Sequence, residues 1–502
     1  MMLNWKRATE VAQSITERWD HDHQPGGAIV LFDREQIQAA CCGGLADLAQ
    51  GTPFSTSSVV RFASVTKHLF AALVTGPMAD KIALTDTLAQ HLPQLTGPNG
   101  QVTVGQALDM TSGLDDIRET LSLLGLSVYN ATQAADLLQF EADMGALNYP
   151  AGSEISYSNT GYRLVEEALK AKGILFEDLL QRHVCAPLNI HLHAPETWFD
   201  IVPGLVPGYW QGENGWQLAS AGLHLSASGS VTGSVRDLSV WLQALLSSDG
   251  PGAGVLARLC APRRLADGRV TGYGLGIAHT QLGAAHLVGH GGSHAGYKTY
   301  FLLDPEQGAG VVLVANREDV ATYDGALRIM AALLEQPLPQ PGHALTRGLY
   351  ASDGGGDWLE ISGDTACWLG ASDTLYLSED PAEAASLSSH MPMRLRQNGA
   401  AIEGEIGHVP RRFLPVQADD GIERAQGRWF CPQWRSELTI TGDRLVMGIG
   451  PAAVTASLIS LGKRRLLATA QDGPWEKRFA IQLEDNSMTL LLNRSRVVKY
   501  QR

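Results

Sequence analysis

The sequence predicts a mixed α and β domain followed by two small antiparallel β-barrels or sandwiches. Residues 59–74 are typical of a short strand that leads into a buried helix, and residues 301–316 of two adjacent antiparallel strands. After residue 336, helical periodicity almost disappears. Because 502 residues exceed one ordinary hydrophobic core, two or three domains are expected.

A proline-rich segment and an internal repeat indicate the domain limits. Residues 336–342 read as a stiff linker after a last helix near residues 323–334. Residues 348–364 and 427–443 then align with each other without a gap. Each segment contains alternating apolar residues and a Gly-Asp turn. We therefore predict domains at residues 1–335, 336–416 and 417–502.

Ser64 and Lys67 stand one helical turn apart at the start of the predicted buried helix. Unpaired backbone N–H groups surround a serine in this position. Their partial positive charge and burial lower the pKa of a lysine, so a neutral Lys67 could accept the Ser64 proton. The alternative is an N-cap serine followed by an exposed lysine. Ser460 and Lys463 repeat the spacing, but short strands around them favour a solvated charge on an edge strand.

Two further segments carry polar side chains that fit a catalytic site. Tyr157 and Asn159 stand two residues apart in a turn-rich stretch, before a helical run that begins near Leu164. A loop against a helix start can present both side chains to one cleft. Residues 286–297 form a glycine-rich strand that contains His290, and its glycines would let the backbone approach a ligand closely.

The order of these segments resembles the penicillin-recognising serine hydrolases related to class C β-lactamases. The matching segments are Phe62-Ala63-Ser64-Val65-Thr66-Lys67, Met110-Thr111-Ser112-Gly113-Leu114, Tyr157-Ser158-Asn159, Tyr273-Gly274-Leu275-Gly276 and His290-Gly291-Gly292. The resemblance implies an α+β, β-lactamase/transpeptidase-like domain, with an antiparallel sheet flanked by helices and an all-helical lobe.

His290 departs from the pattern of many relatives, which carry a lysine there that meets a substrate carboxylate. A histidine is mostly neutral at pH 7 and is a poorer carboxylate anchor. Histidine in this place, followed by two all-β modules, resembles the D-aminopeptidase branch of the family. That branch releases N-terminal D-residues from peptides, amides or esters. It implies a small peptide or amide substrate with a free N-terminal amine, and neither cofactor nor metal.

The resemblance implies roles in acyl transfer for the residues of the first and third segments. Ser64 is expected to attack the substrate carbonyl, and the backbone N–H groups of Ser64 and Ser293 to form the oxyanion hole beside Gly292. Lys67 and Tyr157 would share the work of the base. Tyr157 would then protonate the leaving amine, and water would hydrolyse the acyl-enzyme.

The remaining candidate residues would position the substrate. Asn159 is expected to hold the lysine and the substrate amide, and His290 to shape the pocket and support the Tyr157 hydroxyl. Asp472, in a predicted turn of the last domain, could bind the substrate ammonium. The alternatives are a satisfied strand histidine at His290 and an ordinary hairpin with a solvent-facing Asp472.

Two other functions stay open at this point. One is an esterase or a D,D-peptidase of the same family, and the other is a non-catalytic sensor that kept the pocket without turnover. The combination of Ser64, Lys67, Tyr157 and Asn159 argues against the sensor, because ligand binding alone requires no such set.

Composition limits the partners. The formal net charge of −14 argues against nucleic acid and anionic membranes as partners. Apolar runs are too short to span a bilayer, and the first residues read as an amphipathic helix, so we expect a cytoplasmic protein.

The six cysteines form no metal or redox pattern, and buried thiols are expected. A homodimer is possible.

Overall fold

The computed structural model describes residues 3–21, 23–378 and 380–502, which form a mixed α and β part followed by two closed β-barrels. The helices are α1 (Trp5–Thr16), α2 (Thr66–Thr75), α3 (Leu88–His91), α4 (Val104–Leu108), α5 (Ile117–Leu123), α6 (Ala134–Met144), α7 (Asn159–Lys170), α8 (Phe176–Leu180), α9 (Ala186–Leu188), α10 (Val235–Leu246), α11 (Val255–Leu259), α12 (Thr322–Leu333) and α13 (Gly421–Arg424). The strands of the mixed part are β1 (Gly27–Asp33), β2 (Ile37–Gly43), β3 (Leu45–Asp47), β4 (Thr52–Pro53), β5 (Val59–Arg61), β6 (Leu192–His193), β7 (Tyr209–Gly212), β8 (Gly215–Leu218), β9 (Thr232–Ser234), β10 (Ala278–Leu282), β11 (Ala285–His294), β12 (Tyr297–Asp304) and β13 (Ala309–Ala315).

The main sheet of the mixed part is antiparallel and has the strand order β10-β11-β12-β13-β1-β2. Successive side chains of a strand point to opposite faces, so each face of the central strand β1 has its own core. Ile29 and Leu31 pack with apolar residues of α1 and α12. Val30 and Phe32 belong to the larger core on the other face, which contains the apolar residues of α2 and several of α10. Helices therefore cover both faces of the sheet.

The segment between β5 and β10 forms a lobe that contains the helices α2 to α11, and it is not all-helical as expected, because it also contains the short strands β6 to β9. Residues Thr66 to Val74 of α2 are all buried, as its almost continuous run of apolar residues predicts. Together with the helix-covered sheet, this lobe confirms the predicted β-lactamase-like α+β fold.

Both barrels have eight antiparallel strands. The first barrel consists of β14 (Gly348–Ser352), β15 (Trp358–Ser362), β16 (Thr365–Trp368), β17 (Ala371–Leu377), β18 (Glu383–Ser386), β19 (Met393–Asn398), β20 (Ala401–Ile406) and β21 (Val409–Pro415). The second consists of β22 (Gly427–Cys431), β23 (Ser436–Thr441), β24 (Arg444–Met447), β25 (Val454–Gly462), β26 (Arg465–Asp472), β27 (Trp475–Leu483), β28 (Ser487–Leu491) and β29 (Val498–Gln501). The predicted domain limits at residues 336 and 417 lie in connecting segments, and we retain them as a proposal.

The internal repeat corresponds to equivalent hairpins of the two barrels. Gly363 joins the second and third strands of the first barrel and Gly442 those of the second, and both adopt positive φ angles of 56° and 60°. Such angles favour glycine in tight hairpin turns. The expected edge strand at Ser460 is wrong, because closure of the barrel pairs β25 on both sides. The solvated charge expected at Lys463 is confirmed, because this residue lies in the turn after β25 with 61% of its side chain exposed.

Among the described residues, no helix is long and apolar enough to cross a membrane. Four of the cysteines are buried: Cys41, Cys185, Cys367 and Cys431. Cys260 is partly buried and Cys42 is exposed, so the expectation of buried thiols is wrong for Cys42.

One buried carboxylate joins the mixed part to both barrels. Glu154, which is 4% exposed, precedes α7 in the mixed part. Its oxygens accept hydrogen bonds from Arg411 of the first barrel at 3.1 Å and from Arg496 of the second at 2.8 and 3.2 Å. The three parts of the chain are therefore held at a fixed orientation beside α7, where the site described below is formed.

Replacing this carboxylate is expected to weaken the junction. Glu154→Ala should lower the free energy of unfolding by about 3 kcal/mol, because it leaves Arg496 buried without its hydrogen-bonded carboxylate, whereas Arg411 keeps its pair with Asp357. Glu437 provides the control, because its pair with Arg428 is exposed. Glu437→Ala should change the free energy of unfolding by about 0.5 kcal/mol or less. Urea unfolding measures both. Equal effects of the two variants would show that the junction does not depend on Glu154.

Candidate active site

Ser64 lies between β5 and α2, in a 3-10 turn formed by Ala63–Val65. Ala63 adopts the left-handed region with φ of 50°, which residues with a side chain rarely do. Strained backbone of this kind is concentrated at sites where a side chain must be held in one direction. The turn directs Ser64 toward Lys67 on the first turn of α2, and Lys67 Nζ lies 3.1 Å from Ser64 Oγ.

Lys67 is fully buried, which excludes the alternative of an exposed lysine after an N-cap serine. Besides Ser64 Oγ, its Nζ contacts Asn159 Oδ1 at 2.8 Å and the carbonyl oxygen of Ser228 at 2.6 Å. Burial lowers the pKa of Lys67 well below its ordinary value, the Asp116 carboxylate opposes this shift, and Arg494 adds to it.

Burial favours the neutral form of Lys67, and this form can make all three contacts. The amide oxygen of Asn159 and the carbonyl of Ser228 can only accept, so they take the two N–H donors of a neutral amine. The remaining lone pair of Nζ then faces the Ser64 hydroxyl, which can donate its proton. The geometry therefore places a base against the hydroxyl of a candidate nucleophile.

Tyr157 lies on the other side of Lys67, whose Nζ is 4.7 Å from the centre of the tyrosine ring. The Tyr157 hydroxyl is buried and has no partner in good hydrogen-bond geometry within the described ranges. Burial raises the pKa of Tyr157, and the Ser64 hydroxyl and Arg494 offset this only in part. Tyr157 is therefore a neutral phenol in the resting site, with a proton available for donation.

Asn159 is the first residue of α7, so this helix begins five residues earlier than the sequence indicates. The Asp116 carboxylate accepts hydrogen bonds from the backbone N–H of Asn159 at 2.9 Å and from its Nδ2 at 2.7 Å. Since a carboxylate only accepts, it fixes the side-chain amide with Nδ2 toward Asp116 and Oδ1 toward Lys67. Asp116 is thus a positioning residue for the lysine.

His290 lies in β11 with both ring nitrogens engaged. Nδ1 is 2.6 Å from the carbonyl oxygen of Gly291 and must donate to it, so Nε2 accepts from the Tyr273 hydroxyl at 2.8 Å. Burial lowers the pKa of His290 well below its ordinary value, and Lys67 adds to this effect. The ring centre lies 6.1 Å from that of Tyr157. His290 is therefore a neutral wall of the site, and its support of the Tyr157 hydroxyl stays a prediction.

Gly292 allows β11 to run close to the segment that carries Ser64. A Cβ atom at Gly292 would lie 2.0 Å from the carbonyl oxygen of Phe62, an impossible contact. Ser293 follows, and the residue is exposed and lines the cavity described below. This close approach is required if the backbone N–H groups of Ser64 and Ser293 are to face one substrate oxygen.

Asp472 reaches the mixed part from the hairpin between β26 and β27. Its carboxylate oxygens accept hydrogen bonds from Ser127 Oγ at 2.7 Å and from the backbone N–H of Val128 at 3.0 Å. Trp475 ends the same hairpin and donates its Nε1 proton to Glu318 at 2.8 Å. Asp472 is half-buried in a cavity wall rather than facing solvent, and binding of a substrate ammonium there stays a prediction.

A cavity of about 440 Å³ lies where the mixed part meets the second barrel. Its polar lining includes Asp116, Arg118, Glu119, Asn159, Ser293, Asp472, Trp475, Lys477 and Arg494. The volume suits a small ligand.

Sequence reasoning missed several residues at the site, among them three that contact Asn159 or Tyr157. Asp116 stands two residues after the segment Met110 to Leu114, so its position in the chain offered a signal. His390 of the first barrel lies with its ring centre 5.2 Å from that of Tyr157, and Arg494 of the second barrel has its guanidinium 4.7 Å from the same ring. Neither stands at a fixed spacing from the motifs, so the sequence alone gave no signal for them.

The fold and the geometry define a serine hydrolase-like site, and comparison with known proteins identifies the family. The Beta-lactamase family matches residues 11–335, so the chain belongs to this family. This confirms the resemblance inferred from the motifs. A D-aminopeptidase of Cereibacter sphaeroides is 25% identical over 452 residues, with 85% of this chain and 85% of that protein covered.

Two solved structures share the fold. The octameric penicillin-binding protein homologue from Pyrococcus abyssi aligns over 99% of both chains, with a TM-score of 0.56 and 17% identity. The D-amino acid amidase from Ochrobactrum anthropi aligns over 66% of this chain and 98% of its own, with a TM-score of 0.55 and 20% identity. The first likeness extends over the mixed part and both barrels.

Adding a methyl group at Gly292 is expected to separate β11 from Ser64. Gly292→Ala should lower kcat/KM for an ester substrate by about a hundredfold, because a displacement near 1 Å misaligns the reacting groups. Gly342→Ala, where the added carbon has no neighbour within 4 Å, provides the control. Ester hydrolysis measures the effect, and circular dichroism checks folding. Full activity of a folded Gly292→Ala variant would contradict the role of this contact.

Removing the charge of Asp116 is expected to shift the pH dependence of acylation. The carboxylate raises the pKa of Lys67 and of Tyr157, so Asp116→Asn lowers both. Activity requires the deprotonated base Lys67. The rising limb of the pH–rate profile for acylation should therefore move to lower pH. Acylation by an activated ester measures this, with Asp267→Asn on the surface as control. An unmoved limb would contradict the electrostatic role of Asp116.

Proposed function

We propose that this protein is a serine-type D-aminopeptidase, which releases N-terminal D-amino acids from peptides, amides or esters through an acyl-enzyme. The observation that carries the proposal is the 3.1 Å contact between Ser64 Oγ and the buried Lys67 Nζ, whose other two contacts accept only. Membership of the Beta-lactamase family supports a hydrolase. The preference for D-residues rests on the relative from Cereibacter sphaeroides, which is a D-aminopeptidase.

The proposed acylation divides the proton transfers between two residues. Lys67, neutral because it is buried, takes the proton of Ser64 as Oγ attacks the substrate carbonyl. The backbone N–H groups of Ser64 and Ser293 stabilise the oxyanion. Tyr157, a neutral phenol, gives its proton to the leaving amine as the C–N bond breaks, and it recovers a proton from Lys67.

Deacylation reverses these roles. A water molecule attacks the ester carbon, its proton passes to Lys67, and the Ser64 oxygen leaves and is reprotonated. Asn159 keeps Lys67 in place through both steps because Asp116 fixes its amide. His290 bounds the pocket as a neutral ring that cannot attract a substrate carboxylate.

The substrate amine is proposed to bind near Asp472. Each of its carboxylate oxygens has one hydrogen bond to the protein and keeps a further acceptor position for an ammonium group. Self-association and a cytoplasmic location stay predictions.

Hydrolysis of D-alanine and L-alanine p-nitroanilides tests the proposal. The wild-type protein should release p-nitroaniline selectively from the D substrate, and Ser64→Ala should abolish release, because it removes the proposed nucleophile. Equal rates on both enantiomers would contradict the D-specific function. Acylation of Ser64 by an activated ester without release from either anilide would favour an esterase or a sensor.

A further inference from the structure

Two guanidinium groups face the cavity beside Tyr157 without a hydrogen-bonded carboxylate. Arg118 lies on α5 of the mixed part, and Arg494 lies between β28 and β29 of the second barrel. Within the part of the chain that the structure describes, neither guanidinium donates a hydrogen bond to the protein. The nearest carboxylate contact joins Arg494 Nε to Glu119 Oε1 at 3.9 Å, beyond hydrogen-bond length.

This arrangement leaves hydrogen-bond donors free for a ligand. A guanidinium carries five N–H donors, and the Arg494 side chain is 31% exposed at the cavity, so its donors are accessible to an acceptor. Burial lowers the pKa of Arg118, the Asp116 carboxylate raises it, and Arg494 lowers it because the two cations repel each other. Elsewhere at the cavity, Arg478 is satisfied by Glu360 at 2.6 Å. An anion between Arg118 and Arg494 would supply the missing acceptors and neutralise the repulsion.

The position of the pair indicates which end of a substrate it meets. The Arg494 guanidinium lies 4.7 Å from the centre of the Tyr157 ring. In the proposed function, Tyr157 protonates the leaving amine, so the arginines lie on the leaving-group side. When the leaving group is an amino acid, its carboxylate is joined to the amine through a single carbon atom. Both groups can then be reached from this side of the cavity.

We propose that Arg118 and Arg494 bind the free carboxylate of the residue that follows the scissile bond, so that the preferred substrates are dipeptides with an N-terminal D-residue. This inference rests on the proposed function. The neutral His290 makes no carboxylate anchor in β11, and the anchor is instead formed by α5 and the second barrel. The second barrel thereby selects for short substrates with a free C-terminus.

Paired substrates test this site. D-alanyl-glycine and D-alanyl-glycinamide differ only at the end of the leaving residue, which is a negatively charged carboxylate in the first and a neutral amide in the second. The wild-type protein should show a kcat/KM about tenfold or more higher for the free acid, because charge-assisted hydrogen bonds contribute this much or more. Arg494→Gln should bring the ratio of kcat/KM for the free acid to that for the amide toward one. Arg494→Lys should keep part of the wild-type ratio.

Arg478→Gln is the matched control, because it removes an arginine at the same cavity that is already paired with Glu360. It should leave the ratio at its wild-type value. Equal kcat/KM values for the two substrates in the wild-type protein, or a ratio unchanged by Arg494→Gln, would overturn the carboxylate site while the aminopeptidase function stands. Cleavage of neither substrate by a protein that also fails on D-alanine p-nitroanilide would instead overturn the proposed function.

Discussion

Burial of Lys67 is the constraint on which the rest of the site depends. A charged amine is costly in a site closed to water, so the lysine is held where its neutral form is favoured. Asn159 and Ser228 occupy its donors and leave the lone pair for Ser64. Three features hold these atoms in contact: the strained turn at Ala63, the close approach of β11 and the Asp116 carboxylate.

The barrels complete the site rather than merely following it in the chain. His390 and Arg494 bring one side chain from each barrel against the ring of Tyr157. Glu154 fixes both barrels to the segment that leads into α7. Because the same segment carries Tyr157, the orientation of the barrels and the position of the proton donor are set together.

The sequence predicts well what is determined locally. Ser64 and Lys67 are brought together by one helical turn, and the hairpins of the two barrels follow from Gly-Asp turns between alternating strands. Other parts depend on tertiary contacts. The start of α7 depends on one in part: besides the local N-cap Ser158, which accepts from the backbone N–H of Thr160, Asp116 accepts from the backbone N–H of Asn159. Arg494 reaches the site only because a closed barrel docks on the mixed part, and no spacing in the chain encodes that approach.

Direct titration of Lys67 tests the central claim, that a neutral buried lysine activates Ser64. The protein would be labelled with ¹³C at the lysine ε carbons, and the resonance of Lys67 assigned by its loss in Lys67→Ala. The Lys67 resonance should titrate at a pH well below that of the exposed lysines, whose pKa values are about 10.4. Titration together with the exposed lysines would show that Lys67 is charged at neutral pH, and it would contradict its role as the base.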